Sequence, residues 1–258
     1  MATRVARALR SRVGLAALRA RVRVQHALAP RLARLAPPET FLVARSRLAR
    51  GFLRGEGIEI GGLNAPLPVP RGATVRYVDR WSLSELREQY PELGRTAIVA
   101  PDVIDDGERL ERFDDASLDF VVANHFLEHT EDPIGTLEHH LRVIRPGGVL
   151  FVAVPDKRFT FDVERPVTPL EHVVRDYQEG PEWSRRAHYE EWVSTMHDGS
   201  HEVLEELLRG DRSIHFHVWT GREFLELLEH CRSALGFPFE VVVFERTGHE
   251  VVAVLEKT

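Results

Sequence analysis

Acidic and amide residues recur at the ends of short apolar runs in this chain of 258 residues. Glu59 precedes the pair Gly61 and Gly62, Asp79 closes VRYVD, Asp102 follows AIVAP, and Asn124, His125 and Phe126 close LDFVVANHF, with His129 shortly after. Side chains of these types can hold sugar hydroxyls, an amino group or a cationic ligand, and a glycine pair lets the backbone approach a ligand closely. A second set lies later: His188, His197, His201, His215 and His217. Imidazole is the side chain best matched to proton transfer near neutral pH. In an extended stretch His215 and His217 point to the same side, with Trp219 following to pack on a ring-shaped acceptor. His217 is the first candidate for a base, ahead of His215 and of Asp156, which leaves a later apolar run. By ligand type His215, His217 and a carboxylate could take a metal, but the spacing is common and no metal is expected.

The elements that must carry these residues follow from the pattern of the chain. Gly57–Ile60, Val75–Val78, Ala97–Ala100, Leu118–Ala123 and Val149–Val154 read as buried parallel strands, each with its polar or glycine residues at the carboxyl end, where open α/β sheets bind ligands. Ser82 with Glu85 forms a capping box for one helix, and Thr220 with Glu223 caps another that runs to about Leu235. Apolar spacing predicts a helix from Pro133 to Ile144. Phe239–Phe244 and Val251–Leu255 close the chain as a hairpin. The whole predicts an α/β fold: a doubly wound, mainly parallel sheet with an antiparallel hairpin at its end. Residues 157–217 are a long insertion, which suits a substrate-selecting lid.

Charge is divided unequally. Residues 1–54 hold thirteen Arg and a single acid, Glu39, whereas the rest of the chain is strongly acidic. This basic segment reads as a helical extension, resumed after Pro37-Pro38 by a helix over 40–53, and the main domain as 55–258. The extension is a plain appendage or a helix resting on an anionic membrane surface; nucleic acid is not an expected partner. One cysteine, Cys231, excludes an internal disulfide and fits a core position and a cytoplasmic protein. No apolar run is long enough to span a bilayer.

The order EIGG, Asp79, Asp102, ANHFLEH and RPGG, each with its strand, resembles the class I methyltransferases that use S-adenosylmethionine and release S-adenosylhomocysteine. The resemblance covers about 55–156 and 220–256 and implies a seven-stranded, Rossmann-like methyltransferase fold. It also implies cofactor contacts: Glu59, Gly61, Gly62 and Asn64 along the methionine part, Asp79 and Arg80 at the ribose, Asp102 and Val103 at adenine, and Asn124, His125, Phe126 and His129 around the sulfonium. EIGGLNAPLPVPRG, VPDKRFTFDVERPVTPLEH and HVWT resemble a bacterial branch associated with glycan and cell-envelope assembly. That implies a sugar, glycan-like or small-molecule hydroxyl as acceptor, held by Arg158, Arg165, His172 and Trp219. The family's run of three glycines is interrupted here by Leu63 and Ala65, so a non-catalytic partner of an envelope-building complex is the alternative.

Overall fold

The structure is a computed structural model that describes residues 41–196, 199–210 and 212–258, the side chain of Glu92 excepted. The basic segment before residue 41, with the membrane contact read from it, and His197 lie outside the described residues.

Seven strands form one sheet: β1 (Gly55–Ile60), β2 (Ala73–Asp79), β3 (Val103–Ile104), β4 (Leu118–Asn124), β5 (Ile144–Pro155), β6 (Phe239–Thr247) and β7 (Glu250–Lys257). Their order is β3-β2-β1-β4-β5-β7-β6. Pairing is parallel from β3 through β5 and antiparallel between β5, β7 and β6. The chain leaves β1 toward β2 on one side and returns to β4 on the other. The carboxyl ends of β1 and β4 therefore form the topological switch point, where a crevice opens in such sheets.

The third strand departs from the sequence reading. Ala97–Ala100 has the apolar pattern of a strand, and Ile98 is buried. However, the segment is held by a single bond from Val99 N–H to the Leu63 carbonyl, 2.8 Å, and β3 is the two-residue Val103–Ile104, beyond Asp102. A strand of two residues next to four acids carries no period to read.

Helices cover both faces. On one side α3 (Pro133–Val143), α4 (Leu170–Glu179) and α7 (Gly221–Ser233) bury Ile134, Leu137, Leu141, Val173, Phe224 and Leu228 against β4, β5 and β7, with the Cys231 thiol in the same core and pushed up to about 12 by burial. Asp132 caps α3 by accepting from Gly135 N–H at 2.9 Å, and both halves of the Thr220–Glu223 capping box form at α7. On the other side α1 (Phe41–Phe52) presents Ala44, Leu48 and Ala49 at helical spacing. Leu48, Ala49 and Leu53 join a core with Phe120, Val122, Phe151 and Val254. Through these contacts α1, assigned by its charge to the extension, is part of the sheet's own packing. α2 (Leu83–Gln89) starts at the Ser82 capping box. The insertion is helical throughout much of its length: beyond α4, α5 (Glu182–Met196) and α6 (His201–Gly210) share a small core of Tyr189, Val193, Leu204, Ile214 and Phe216. No helix among the described residues is long and apolar enough to cross a membrane.

A buried charge fastens α1 to the sheet. Glu250 at the start of β7 is fully buried. Its carboxylate accepts from Arg45 Nε at 2.7 Å and from a second Arg45 nitrogen, from Thr247 Oγ1 at 3.1 Å, and pairs with His125 Nε2 at 2.8 Å. Burial raises its pKa, but the bonds from His125 and Arg45 outweigh that and hold it at about 2. A carboxylate depressed from 4.5 contributes stability that is complete above pH 4.5 and is lost as pH falls toward 2. Glu250→Ala leaves Arg45 buried without its partner and is expected to cost about 3–5 kcal/mol at pH 7, measured by urea unfolding. The gap between wild type and variant should narrow as pH is lowered below 4.5, and a gap independent of pH would contradict the charge assignment.

Candidate active site

A cleft opens at the carboxyl ends of β1, β2 and β4. Its floor is Ile60 and Gly61. Gly61 has φ +62°, and a Cβ built there meets nothing within 4 Å, so a side chain would project into the space a ligand needs. Asp79, Arg80 and Trp81 form one wall; Asp106, Gly107 and Glu108 a second; His125, Phe126 and His129 a third, with Leu63, Tyr90 and Ser213 at the rim.

Each wall is positioned by bonds that ordinary packing would not supply. Asp79 Oδ1 accepts from Trp81 N–H at 3.2 Å, which turns the chain at the end of β2, and the Arg80 guanidinium lies over the Trp81 ring at 4.5 Å. Burial raises the Asp79 pKa against the pull of the Trp81 and Arg80 backbone bonds. Gly107 sits where a Cβ would come within 2.6 Å of Ile60 and 2.9 Å of Phe126, so only glycine lets this loop close on the floor. The loop is held from beneath by His140, whose Nε2 donates to the Gly107 carbonyl at 2.8 Å; burial lowers that imidazole to about 4 and keeps it neutral. Glu108 faces the cleft with its pKa raised to about 7, first by burial and then by Asp106 and Glu131. His125 occupies a left-handed position, φ +51°, uncommon for a residue with a side chain, and the Glu250 carboxylate fixes its ring.

The sequence candidates divide. Gly61, Asp79, Arg80, His125, Phe126 and His129 line the cleft together. Glu59 does not: it is buried under the loop, where both carboxylate oxygens accept from Leu67 N–H at 2.9 Å. Gly62 packs against Tyr77, and Asn64 is exposed in the turn that Ala65 N–H closes on the Gly62 carbonyl. Asp102 precedes β3 rather than following it, and its carboxylate accepts from Tyr77 N–H at 2.8 Å. Asp106 is the acid that the strand's carboxyl end brings to the cleft; Val103 and Asn124 lie within strands and off its lining. Asp106, Gly107 and Glu108 were missed because β3 was placed too early, Tyr90 and Ser213 because only tertiary packing brings them in, and Trp81, next to Arg80, was passed over.

The residues assigned to catalysis and acceptor binding lie elsewhere. His217 is sealed inside the insertion, stacked on Trp219 at 5.6 Å, with Nε2 3.2 Å from the Glu131 carbonyl, and burial lowers its pKa well below the usual imidazole value. His215 Nδ1 pairs with Asp162 at 2.8 Å. Asp156 is buried and accepts from Arg158 and from Gly221 N–H, which makes it a brace between the end of β5 and α7. Arg158 is half exposed but committed to Asp156, and Arg165 is fully buried between Asp162 and Glu191 at 2.8 Å each. Trp219 is buried, and His172 faces His188 and Asp176. In the alternating stretch one shared side did not mean one shared cavity.

The model of the methyltransferase domain family matches residues 23–231, and the chain belongs to that family; its cofactor is S-adenosylmethionine. The fold is similar to a SAM-dependent methyltransferase from Aquifex aeolicus, with 13% identity over 89% of this chain and 98% of the other and a TM-score of 0.46. A SAM-dependent methyltransferase from Methanosarcina mazei is 21% identical over 79% and 92%, TM-score 0.43. The 1,6-didemethyltoxoflavin-N1-methyltransferase of Burkholderia thailandensis, whose structure holds S-adenosylhomocysteine, is 15% identical over 93% and 87%, TM-score 0.45. No curated protein sequence is significantly similar to the chain.

The cleft fits that cofactor on its own chemistry. Gly61 leaves a backbone cradle that a side chain would fill, and Asp79 offers a carboxylate to a diol. Asp106 offers a carboxylate that can accept from an amino group, and Phe126, backed by Gly107, offers an aromatic ring. Asp79→Ala is expected to weaken binding of S-adenosylhomocysteine by about 10- to 150-fold, the loss of one charged acceptor, with unchanged unfolding; equal affinity in calorimetric titration would refute the assignment. Glu59→Gln keeps an acceptor for Leu67 and removes a charge. Because folding lifts the Glu59 pKa from 4.5 to about 7, chiefly through burial, its protonation supports the fold below pH 4.5 and that support is lost as pH rises to 7. The variant should therefore match wild type near pH 4.5 and exceed it by up to about 3 kcal/mol at pH 8, read from urea unfolding at the two pH values.

Proposed function

We propose that this protein transfers a methyl group from S-adenosylmethionine to a hydroxyl of a sugar, glycan-like or small-molecule acceptor, with His125 as the base. The observation that carries the reading is the pair of groups at the switch point: a ribose-type carboxylate, Asp79, and across the cleft an imidazole held by a buried carboxylate, His125 on Glu250. When bound, the sulfonium supplies an already activated methyl group, so positioning provides much of the acceleration. A hydroxyl acceptor also has a proton to lose. With Nε2 of His125 donating to Glu250, Nδ1, which stands 3.8 Å from Glu128 Oε1, is the nitrogen left to take the proton, and Glu250 plays the part of the third group that orients a base. His129 is unsuited to that task, because burial lowers it to about 3.

The glycan-like acceptor rests on the three segments that resemble envelope-associated methyltransferases, and the insertion over 157–217 is the part of the chain that would select it. Peripheral contact with the inner face of a membrane would fall to the Arg-rich residues before Thr40, since α1 is packed on the sheet. The alternative, a non-catalytic member of an envelope-building complex, draws on the rebuilt glycine loop, in which Leu63 takes φ +41°.

Calorimetric titration with S-adenosylmethionine and S-adenosylhomocysteine separates the two: micromolar binding supports the enzyme, and no binding at millimolar ligand favours the partner. In a screen of hydroxyl-bearing glycans and nucleotide sugars that follows release of S-adenosylhomocysteine, His125→Ala is expected to lower kcat by about 10²- to 10⁴-fold with cofactor affinity little changed. Undiminished turnover would remove His125 as the base.

A further inference from the structure

Beside the cleft, the insertion gathers three imidazoles and a carboxylate into one buried group. We propose that His172, Asp176, His188 and His217 form a closed site for a zinc-type divalent cation that pins α4 and α5 to the segment leading into α7. His172 and Asp176 stand one helical turn apart on α4, His188 comes from α5, and His217 from the extended chain before Thr220. One ligand atom from each lies within 4.8 Å of all the others. His172 Nε2 is 3.0 Å from His188 Nε2 and 3.3 Å from Asp176 Oδ2, and His217 Nε2 is 3.8 Å from that same oxygen. Ligands about 2.0 Å from a tetrahedral zinc stand about 3.3 Å apart, so small side-chain adjustments close the shell.

The polar accounting of the group points the same way. Asp176 is fully buried, yet its Oδ2 accepts no hydrogen bond, and His217 Nδ1 is also buried without a partner. The other carboxylate oxygen, Oδ1, accepts from Ser184 Oγ at 2.7 Å, which orients Oδ2 toward the imidazoles as an outer-shell bond orients a ligand. His217 is braced by its stack on Trp219, and His172 packs on Trp183 at 4.8 Å. With Nε2 of His217 facing the Glu131 carbonyl, the ring proton sits there and the unpartnered Nδ1 carries the lone pair. Among the described residues two other groups have ligand-type side chains close together. In the first, Glu250 is already taken by the Arg45 guanidinium, which repels a cation. The second, Glu128, His129 and His215, supplies three donors and lacks a fourth. A shell closed by four protein ligands is structural rather than catalytic.

The test is metal content by mass spectrometry on the full chain, purified without chelator and dialysed after incubation with zinc chloride. One zinc per chain is expected, with cobalt substitution giving the strong visible bands of a tetrahedral centre. Removal by a chelator should lower the melting temperature on the order of 10 °C against a sample with zinc about 1,000-fold above its Kd. Asp176→Asn and His188→Gln should lose the metal, Ser184→Ala should bind it about 10- to 100-fold more weakly, and His215→Gln should keep it. If a ligand variant does not fold, the chelation and cobalt measurements on the wild-type chain still decide. Less than about a tenth of a zinc per chain, retention by the Asp176→Asn/His188→Gln double variant, or loss in His215→Gln would each overturn the proposal.

Discussion

Glu250 is the point through which the architecture and the cleft constrain each other. Its carboxylate is the single acceptor for a guanidinium from α1, a hydroxyl from the end of β6 and an imidazole from the end of β4. A buried carboxylate is tolerable only when it is paired and hydrogen-bonded, and here the partners are Arg45, His125 and Thr247, from three separate elements of the chain. Satisfying that one charge fixes how α1 lies on the sheet, how the antiparallel hairpin closes beside β5, and which way His125 faces. The left-handed backbone at His125 persists because the carboxylate holds its side chain. A ligand in the cleft therefore meets a ring set by the fold and not by its own arrival.

The strands β1, β2, β4, β5 and the hairpin could be read from the chain because each is an apolar run bounded by turn residues, and both capping boxes because their spacing is local. β3 could not, since two residues have no period, and that one slip led the reading to Asp102, where Asp106 is the acid that lines the cleft. The cleft residues that were found, Gly61, Asp79, Arg80, His125, Phe126 and His129, all sit at strand ends or directly after them. Of those that were missed, Asp106, Gly107 and Glu108 follow the misplaced β3, whereas Tyr90 and Ser213 arrive by long-range contact. Nothing near Arg45 in sequence signals that it will meet Glu250, and nothing near His140 signals that it supports Gly107. His215 and His217 show the limit in the other direction: alternation gives a shared face, but only the tertiary partners, Asp162 for one and Asp176 for the other, decide what that face does.

The insertion is held together differently from the sheet. Its own apolar core is five buried residues from α5, α6 and the chain that follows, while α4 packs in the main core with α3 and α7, and its largest fully buried side chain is Arg165. Cohesion comes from paired polar groups: Arg165 with Asp162 and Glu191, His215 with Asp162, Ser184 with Asp176. Such pairs are directional, so they specify one arrangement where a small apolar core would permit several, at the cost of desolvating every member. For a segment that lies beside the cleft, definite placement is worth more than strength.

The glycine loop follows the same logic of substitution. Where the family's pattern has further glycines, this chain has Leu63 and Ala65 and then prolines at 66, 68 and 70. A helix cannot begin there, so the loop's amides need other acceptors. Glu59 provides one: placed by β1 directly beneath, it takes the Leu67 N–H on both oxygens, and Gly62 takes Ala65. Only Gly61 keeps its backbone open to the cleft. The acid before the glycine pair thus supports the loop from below, and the carboxylates left to meet a ligand are those on the neighbouring walls, Asp79, Asp106 and Glu108. The carboxylates that line the cleft thus stand to either side of a switch point that stays where the strand order puts it.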